Sequence, residues 1–140
     1  MLPLVAGLFV LVDALGKTGL IEMISAFLHK EAERSVAIAT WGAGVIIAFG
    51  SNLSNNLPAG LIAGDAVRAA HVPDQATRAI LIGVDLGPNL SVTGSLATIL
   101  WLAALRREGQ AVSAGTFLKI GVLVMPPALL LAIGAAWLAR

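Results

Sequence analysis

The sequence has no cysteine, and only 12% of its 140 residues are charged. The absence of cysteine excludes a disulfide framework, a thiolate metal site and a thiol redox motif. The two histidines, His29 and His71, are far apart in sequence, and no nucleophile stands beside a base in a recognisable motif. We therefore predict no metal, no cofactor and no enzymatic activity.

The shortage of charge narrows the class of protein further. A soluble domain usually carries about 25% charged residues, whereas the charges of this chain are few and gather in short clusters between long uncharged runs. Its nine lysines and arginines are scattered and its net charge is +1, so no dense basic face is available to bind nucleic acid. With 58% hydrophobic residues, the composition predicts an all-α integral membrane protein surrounded by lipid.

The first apolar run, LPLVAGLFVLV, starts directly after Met1 with no basic region, so no signal peptide is predicted. Residues 1–15 are fewer than the ~20 that cross a bilayer, which makes them the end of a spanning helix. Because so few spans barely enclose a pathway, we expect a fragment of a longer transporter.

The hydropathy pattern divides the whole chain into five segments. They are the end of a transmembrane helix at 1–15, an interfacial helix at 18–30, a re-entrant hairpin at 35–71, a broken transmembrane helix at 76–105 and a transmembrane helix at 116–139. Residues 30–34, KEAER, are predicted to form a charged loop, and Pro126 and Pro127 to kink the last helix. Trp137 and Arg140 are typical of a membrane interface.

The hairpin prediction depends on a polar stretch, SNLSNNLP at 51–58, inside the uncharged run 35–64. One helix over that run would be ~45 Å long, although the hydrocarbon core is only ~30 Å thick. Two arms of ~20 Å that meet at the polar stretch would instead stop inside the membrane. Such a tip is tolerated where it is buried in protein or lines a water-filled cavity.

A second polar break interrupts the segment 79–105, whose single charge is Asp85 and whose centre contains GPN and TG. Proline and glycine weaken a helix, so an unwound stretch between two half-helices is predicted. Transporters often bind substrate between such discontinuous helices. The candidate substrate-binding residues are Ser51, Asn52, Ser54, Asn55 and Asn56 in the first break and Asn89, Ser91, Thr93 and Ser95 in the second.

The alternative for these amides and hydroxyls is helix capping. Asn55 or Asn56 would cap the returning helix, with Pro58 in its first turn. The positive end of that helix dipole would then point into the tip and favour a neutral or anionic, oxygen-rich cargo.

Two carboxylates are candidates for proton coupling. Asp85 directly precedes the second break, where a desolvated carboxyl would exchange a proton near neutral pH; sodium coordination and helix capping are the alternatives. Asp65 is the second candidate, and its alternative role is an ion pair with Arg68 on one helical face. Asp13 ranks lower because its depth in the membrane is undefined.

Two long motifs carry a resemblance to a known family. GSNLSNNLPAGLIAGDAV, followed by LIGVDLGPNLSVTGSLATILWLAALRREG, closely resembles the C-terminal part of the arsenite efflux permeases, the membrane subunit of the arsenical pump, within the ion transporter superfamily. FVLVDALGKTGL near the start fits the same family. The resemblance implies proton-coupled antiport of arsenite and antimonite across the cell (inner) membrane by a multi-pass protein, and hence arsenical resistance.

The resemblance also implies a fold of two inverted halves, each with a re-entrant hairpin and an interrupted helix, of which this chain is most of the second. It implies a cytosolic ATPase partner in some members. A second copy of the same protein, forming a homodimer, is the other protein partner predicted. Other superfamily members carry sodium, dicarboxylates or silicate, although no arginine stands at either break to pair with a dicarboxylate. A non-transporting scaffold or truncated remnant is the remaining alternative.

Overall fold

The computed structural model describes residues 2–139, which form α-helices and short 3₁₀ segments and, within that range, no β-strand. The helices are α1 (Leu2–Gly16), α2 (Leu20–Arg34), α3 (Val36–Ser54), α4 (Asn56–Ala70), α5 (Asp74–Leu86), α6 (Leu96–Arg107) and α7 (Ala114–Leu138). Between α5 and α6, residues 87–95 form the break segment, which contains 3₁₀ turns at Gly87–Leu90 and Val92–Gly94. The all-helical class is therefore confirmed, and the helix predicted over 76–105 is interrupted.

Two of these helices, α3 and α7, are long and apolar enough to cross a membrane. With 19 residues, α3 is ~28 Å long, so it exceeds the ~20 Å arm expected from the sequence. The next helix, α4, has 15 residues and is ~22 Å long. The two helices are therefore unequal in length, because α3 continues through Ser51 to Ser54 before the chain turns.

The charged run 30–34 is helical, so the predicted loop is wrong. Lysine, glutamate, alanine and arginine all favour the helix, and α2 continues through them to Arg34. The chain leaves the helix only at Ser35, whose backbone is extended. The Ser35 hydroxyl then accepts a hydrogen bond from the Ile38 amide at 3.4 Å and caps α3.

A single residue, Asn55, connects α3 to α4. Its backbone has φ 77° and ψ 147°, a conformation that residues other than glycine rarely adopt. Its side-chain oxygen accepts a hydrogen bond from the Leu57 amide at 3.4 Å, which makes Asn55 the N-cap of α4, and Pro58 lies in the first turn. The capping role predicted for this asparagine is present, at the cost of backbone strain.

Replacing Asn55 with glycine should stabilise the protein. Glycine adopts the observed φ without a steric penalty, which removes strain of ~1 kcal/mol or more, whereas exchanging an asparagine N-cap for glycine costs only a few tenths. We expect the midpoint of thermal unfolding of the purified protein to rise. Asn56→Gly is the matched control, because Asn56 is already helical and glycine there should lower the midpoint.

The packing of α3 along α5 organises the centre of the molecule. A side chain at Gly83 would run into the Gly44 carbonyl, and one at Gly44 would lie 3.0 Å from the Ala79 carbonyl. The two backbones are thus almost in contact, as small residues permit in membrane proteins. Ala48, Ala79 and Ile133 of α7 are buried around this contact.

Helix α7 packs against the break segment. A side chain at Gly121 would meet the Leu90 carbonyl and lie 2.8 Å from the Asn89 carbonyl. The helix continues through Pro126 and Pro127 as one element, and whether they bend it stays a prediction. Near its end, the Ala139 carbonyl accepts a hydrogen bond of 2.9 Å from Arg78 Nη1. Arg140, predicted to mark the interface, and Met1 lie outside the described residues.

Candidate functional site

The two polar breaks meet through one hydrogen-bonded contact, formed by Asn52, Ser91 and Thr93 and called here the tip–break contact. The Asn52 Oδ1 atom accepts hydrogen bonds from the Ser91 amide at 3.1 Å and from the Ser91 hydroxyl at 2.8 Å. The Ser91 and Thr93 hydroxyl oxygens are 3.1 Å apart. Segments 39 residues apart in sequence are therefore joined at the positions that the sequence singled out.

Glycines in the break segment allow this close approach. A side chain at Gly94 would lie 2.7 Å from Asn52 Oδ1 and 2.6 Å from Pro88 Cα. One at Gly87 would meet the Ala48 carbonyl of α3. The sequence indicated these glycines only as helix breakers; their role in holding the two breaks together depends on the packing of α3 against α5, which no local signal reveals.

Ser51, beside Asn52, is fully enclosed at 0% exposure. Its hydroxyl is 3.0 Å from the Ala48 carbonyl and 3.3 Å from the Gly83 carbonyl. The hydroxyl thus joins α3 to α5 and has no surface to offer a ligand in this arrangement. Ser54 is exposed, but its hydroxyl donates back to the Gly50 carbonyl of the same helix at 2.8 Å.

Three further candidates, Asn55, Ser95 and Asn89, bond to the backbone at the ends of helices. Asn55 is the N-cap of α4, as described above. Ser95 is the N-cap of α6, and its hydroxyl accepts a hydrogen bond from the Ala97 amide at 3.2 Å. The Asn89 amide donates to the carbonyls of Asp85 at 3.2 Å and Leu86 at 3.1 Å. These contacts satisfy the last turn of α5, so capping accounts for part of the predicted site.

Asp85 lies in the last turn of α5 with an exposed side chain. The desolvation predicted from the sequence is therefore not provided by the described part of this chain. The capping alternative is also wrong, because Ser95 and not Asp85 caps the half-helix after the break. Asp85 is left as a carboxylate next to the break segment.

Asp65 and Arg68 are both exposed on α4, and the ion pair considered for them is absent from the described residues. Asp65 instead lines a cavity of about 390 Å³ together with Asp13 and Lys17. The Lys17 ammonium is 2.6 Å from Asp13 Oδ2. That hydrogen bond, together with the carboxylate charge, raises the pKa of Lys17 above its usual value.

The remaining groups define what the site offers chemically. Asn56 is half-buried and Thr93 is exposed beside the tip–break contact. Within residues 2–139, no cluster of three or more histidine, aspartate or glutamate side chains is arranged to hold a metal ion. The site therefore presents amide and hydroxyl groups, with the Asp85 carboxylate at its edge.

Comparison with known proteins gives a consistent result. Residues 2–138 match the family described as arsenical pump membrane protein. The chain is 35% identical over 133 residues to the arsenical pump membrane proteins of Yersinia enterocolitica and Escherichia coli K12, and it is 28% identical over 123 residues to a putative one from Bacillus subtilis. The first two alignments cover 92% of this chain and 31% of each relative, and the third covers 85% and 28%. No solved structure matches.

Proposed function

The chain belongs to the arsenical pump membrane protein family, and on this basis we propose that it forms part of a transporter that exports arsenite and antimonite in exchange for protons. The family predicted from the two long motifs is thereby confirmed. The chain spans 31% of the length of the relatives it matches, so the transport cycle is proposed for the protein that contains it. Placement in the cell inner membrane as a multi-pass protein is part of the same proposal.

The tip–break contact is the observation that carries the proposal. Arsenite at neutral pH is mainly the uncharged trihydroxide, which amides and hydroxyls bind without an opposing charge. Asn52, Ser91 and Thr93 bring such groups together from two separate breaks. The chain has no cysteine, so no thiolate would trap the trivalent metalloid and slow its release.

The re-entrant hairpin belongs to this proposal. Asn55 reverses the chain within one residue, so α3 and α4 form the arms of a hairpin with a polar tip. Backbone irregularity of this kind is tolerated at membrane depth when it is buried in protein, and Ser51 and Asn52 are buried against α5 and the break segment.

Proton coupling is assigned to Asp85, with Asp65 as the second candidate. Asp85 lies at the junction of α5 and the break segment, where any rearrangement of the break also moves its backbone, because Asn89 donates to the Asp85 carbonyl. Intramembrane carboxylates generally mark proton or ion pathways. Asp65, farther along the hairpin, shares a cavity with the Asp13–Lys17 pair.

Transport by everted membrane vesicles tests the proposed function. Vesicles that contain the full-length permease carrying this chain should accumulate arsenite when a proton gradient is imposed. Asn52→Ala should reduce the initial rate about tenfold to a hundredfold, because it leaves the half-buried Ser91 amide and hydroxyl without their partner.

Ser25→Ala is the matched control for that loss, since the Ser25 hydroxyl only donates to the Glu22 carbonyl within α2. Its rate should equal that of the parent. No arsenite accumulation by the parent would reject the proposed substrate, and equal rates for Asn52→Ala and the parent would remove the tip–break contact from the site.

A further inference from the structure

The orientation of the Asn52 amide is determined by its neighbours. The backbone N–H of Ser91 donates and never accepts, so the amide atom 3.1 Å away must be the oxygen. The Ser91 hydroxyl, at 2.8 Å, takes the other lone pair of the same oxygen. The carbonyl end of Asn52 is therefore fully engaged, and the NH₂ end points away from Ser91.

The NH₂ group of Asn52 has no hydrogen-bond partner among residues 2–139, although the residue is only 7% exposed. Every fully enclosed polar side-chain atom in this part of the chain does have a partner. The nitrogen therefore reaches the surface of the site. A nearly buried donor without a partner is costly, which points to a ligand atom that accepts from it.

The hydroxyls beside Asn52 also have a fixed direction. The single hydrogen of the Ser91 hydroxyl is donated to Asn52 Oδ1, so the contact of 3.1 Å with Thr93 requires Thr93 to donate. The exposed Thr93 oxygen keeps its lone pairs for a ligand. The contact thus offers an N–H donor at Asn52 and a hydroxyl acceptor at Thr93.

We propose that Asn52 serves this site only as a hydrogen-bond donor, and that Ser91 is the positioning residue that holds it in that orientation. The ligand class that fits is a neutral hydroxylated oxyacid, whose oxygen accepts from Asn52 and whose O–H donates to Thr93. A sodium ion is not favoured at the Asn52 side chain, because its charge would meet the N–H end of the amide and the side-chain oxygen already accepts two hydrogen bonds. This inference rests on the proposed function and specifies the chemistry of its binding site.

The variant Asn52→Asp separates the donor role from a cation-binding role. Aspartate has the same shape and preserves both bonds from Ser91, but it replaces the NH₂ group with an oxygen. At neutral pH the carboxylate presents no donor, so arsenite affinity should fall about tenfold. At lower pH the protonated carboxyl regains an O–H donor, so affinity relative to the parent should recover.

Equilibrium dialysis with radiolabelled arsenite, on the purified full-length permease in detergent and with no proton gradient, measures this ratio across pH. A cation site would give the opposite result: Asn52→Asp would bind sodium more tightly at neutral pH and lose that gain on acidification. A ratio that does not rise as the pH falls would overturn the donor role. Absence of arsenite binding by the parent would overturn the proposed function and this inference together.

Ser91 provides a second and independent measurement of the same inference. Ser91→Ala leaves only the backbone N–H on Asn52 Oδ1 and should weaken arsenite binding, whereas Ser91→Thr keeps a hydroxyl and should restore it. Equal affinity for the alanine and threonine variants would show that Ser91 does not position Asn52. Ser25→Ala serves as the unaffected control in the same assay.

Discussion

Gly87→Ala is expected to destabilise the protein more than any other single methyl addition at the break. The backbone of Gly87 is right-handed helical, with φ −52° and ψ −45°, so alanine is conformationally allowed. Space is the obstacle, because the added methyl would lie 2.6 Å from Ala48 Cα and meet the Ala48 carbonyl. Neither atom belongs to a movable side chain, so we expect a cost at or above the usual ~1–3 kcal/mol of overpacking.

The measurement is the thermal unfolding midpoint of the purified protein in detergent, together with the fraction that remains monodisperse. Gly42→Ala is the matched control on α3, where an added methyl meets nothing within 4 Å. Alanine there should be neutral or stabilising, since it favours the helix over glycine by ~1 kcal/mol. If both variants unfold at the same temperature, the contact between α3 and the break segment is looser than described.

Asp85→Asn is expected to abolish accumulation of arsenite against its gradient. If one proton is exchanged for one neutral arsenite, a pH difference of one unit provides ~1.4 kcal/mol and supports about tenfold accumulation. The asparagine variant carries no exchangeable proton, so its vesicles should only equilibrate arsenite, although passive exchange continues. The measured quantity is the steady-state ratio of arsenite inside and outside the vesicles.

Asp74→Asn is the control for charge removal, because Asp74 lies in the first turn of the same helix, α5, at the end opposite the break. Its vesicles should accumulate arsenite as the parent does. Undiminished accumulation by Asp85→Asn would transfer the coupling role to Asp65, whose asparagine variant would then be the one that loses it.

The positions of the breaks were predictable because their cause is local. Proline, glycine and clustered amides weaken a helix wherever it is placed, so the sequence located both the turn at Asn55 and the break segment. The loop predicted at 30–34 is wrong for an equally local reason. Charged residues such as lysine and glutamate are common in solvated loops and are also good helix formers, so composition alone does not separate the two.

The roles of individual site residues were less predictable, because they depend on which face of α3 meets α5. Ser51 and Asn52 are adjacent polar residues, yet the Ser51 hydroxyl lies within hydrogen-bond distance of a carbonyl of α5 and one of its own helix, while Asn52 accepts from Ser91. That division follows from the close contact of Gly44 and Gly83, residues far apart in sequence. The exposure of Asp85 has the same origin, since burial depends on neighbours and not on hydropathy.

The bond from Ser91 to Asn52 affects the energetics of the proposed transport cycle. Folding has already joined the two breaks, so no binding free energy is needed to bring them together. The binding of a ligand also orders few additional side chains. Such a preorganised site binds its ligand more tightly. Release by separating α3 from the break segment would require the hydrogen bonds between them to break. In the proposed transporter, exchange of the cargo between the two sides of the membrane is therefore expected to move α3, α5 and the break segment together as one rigid unit.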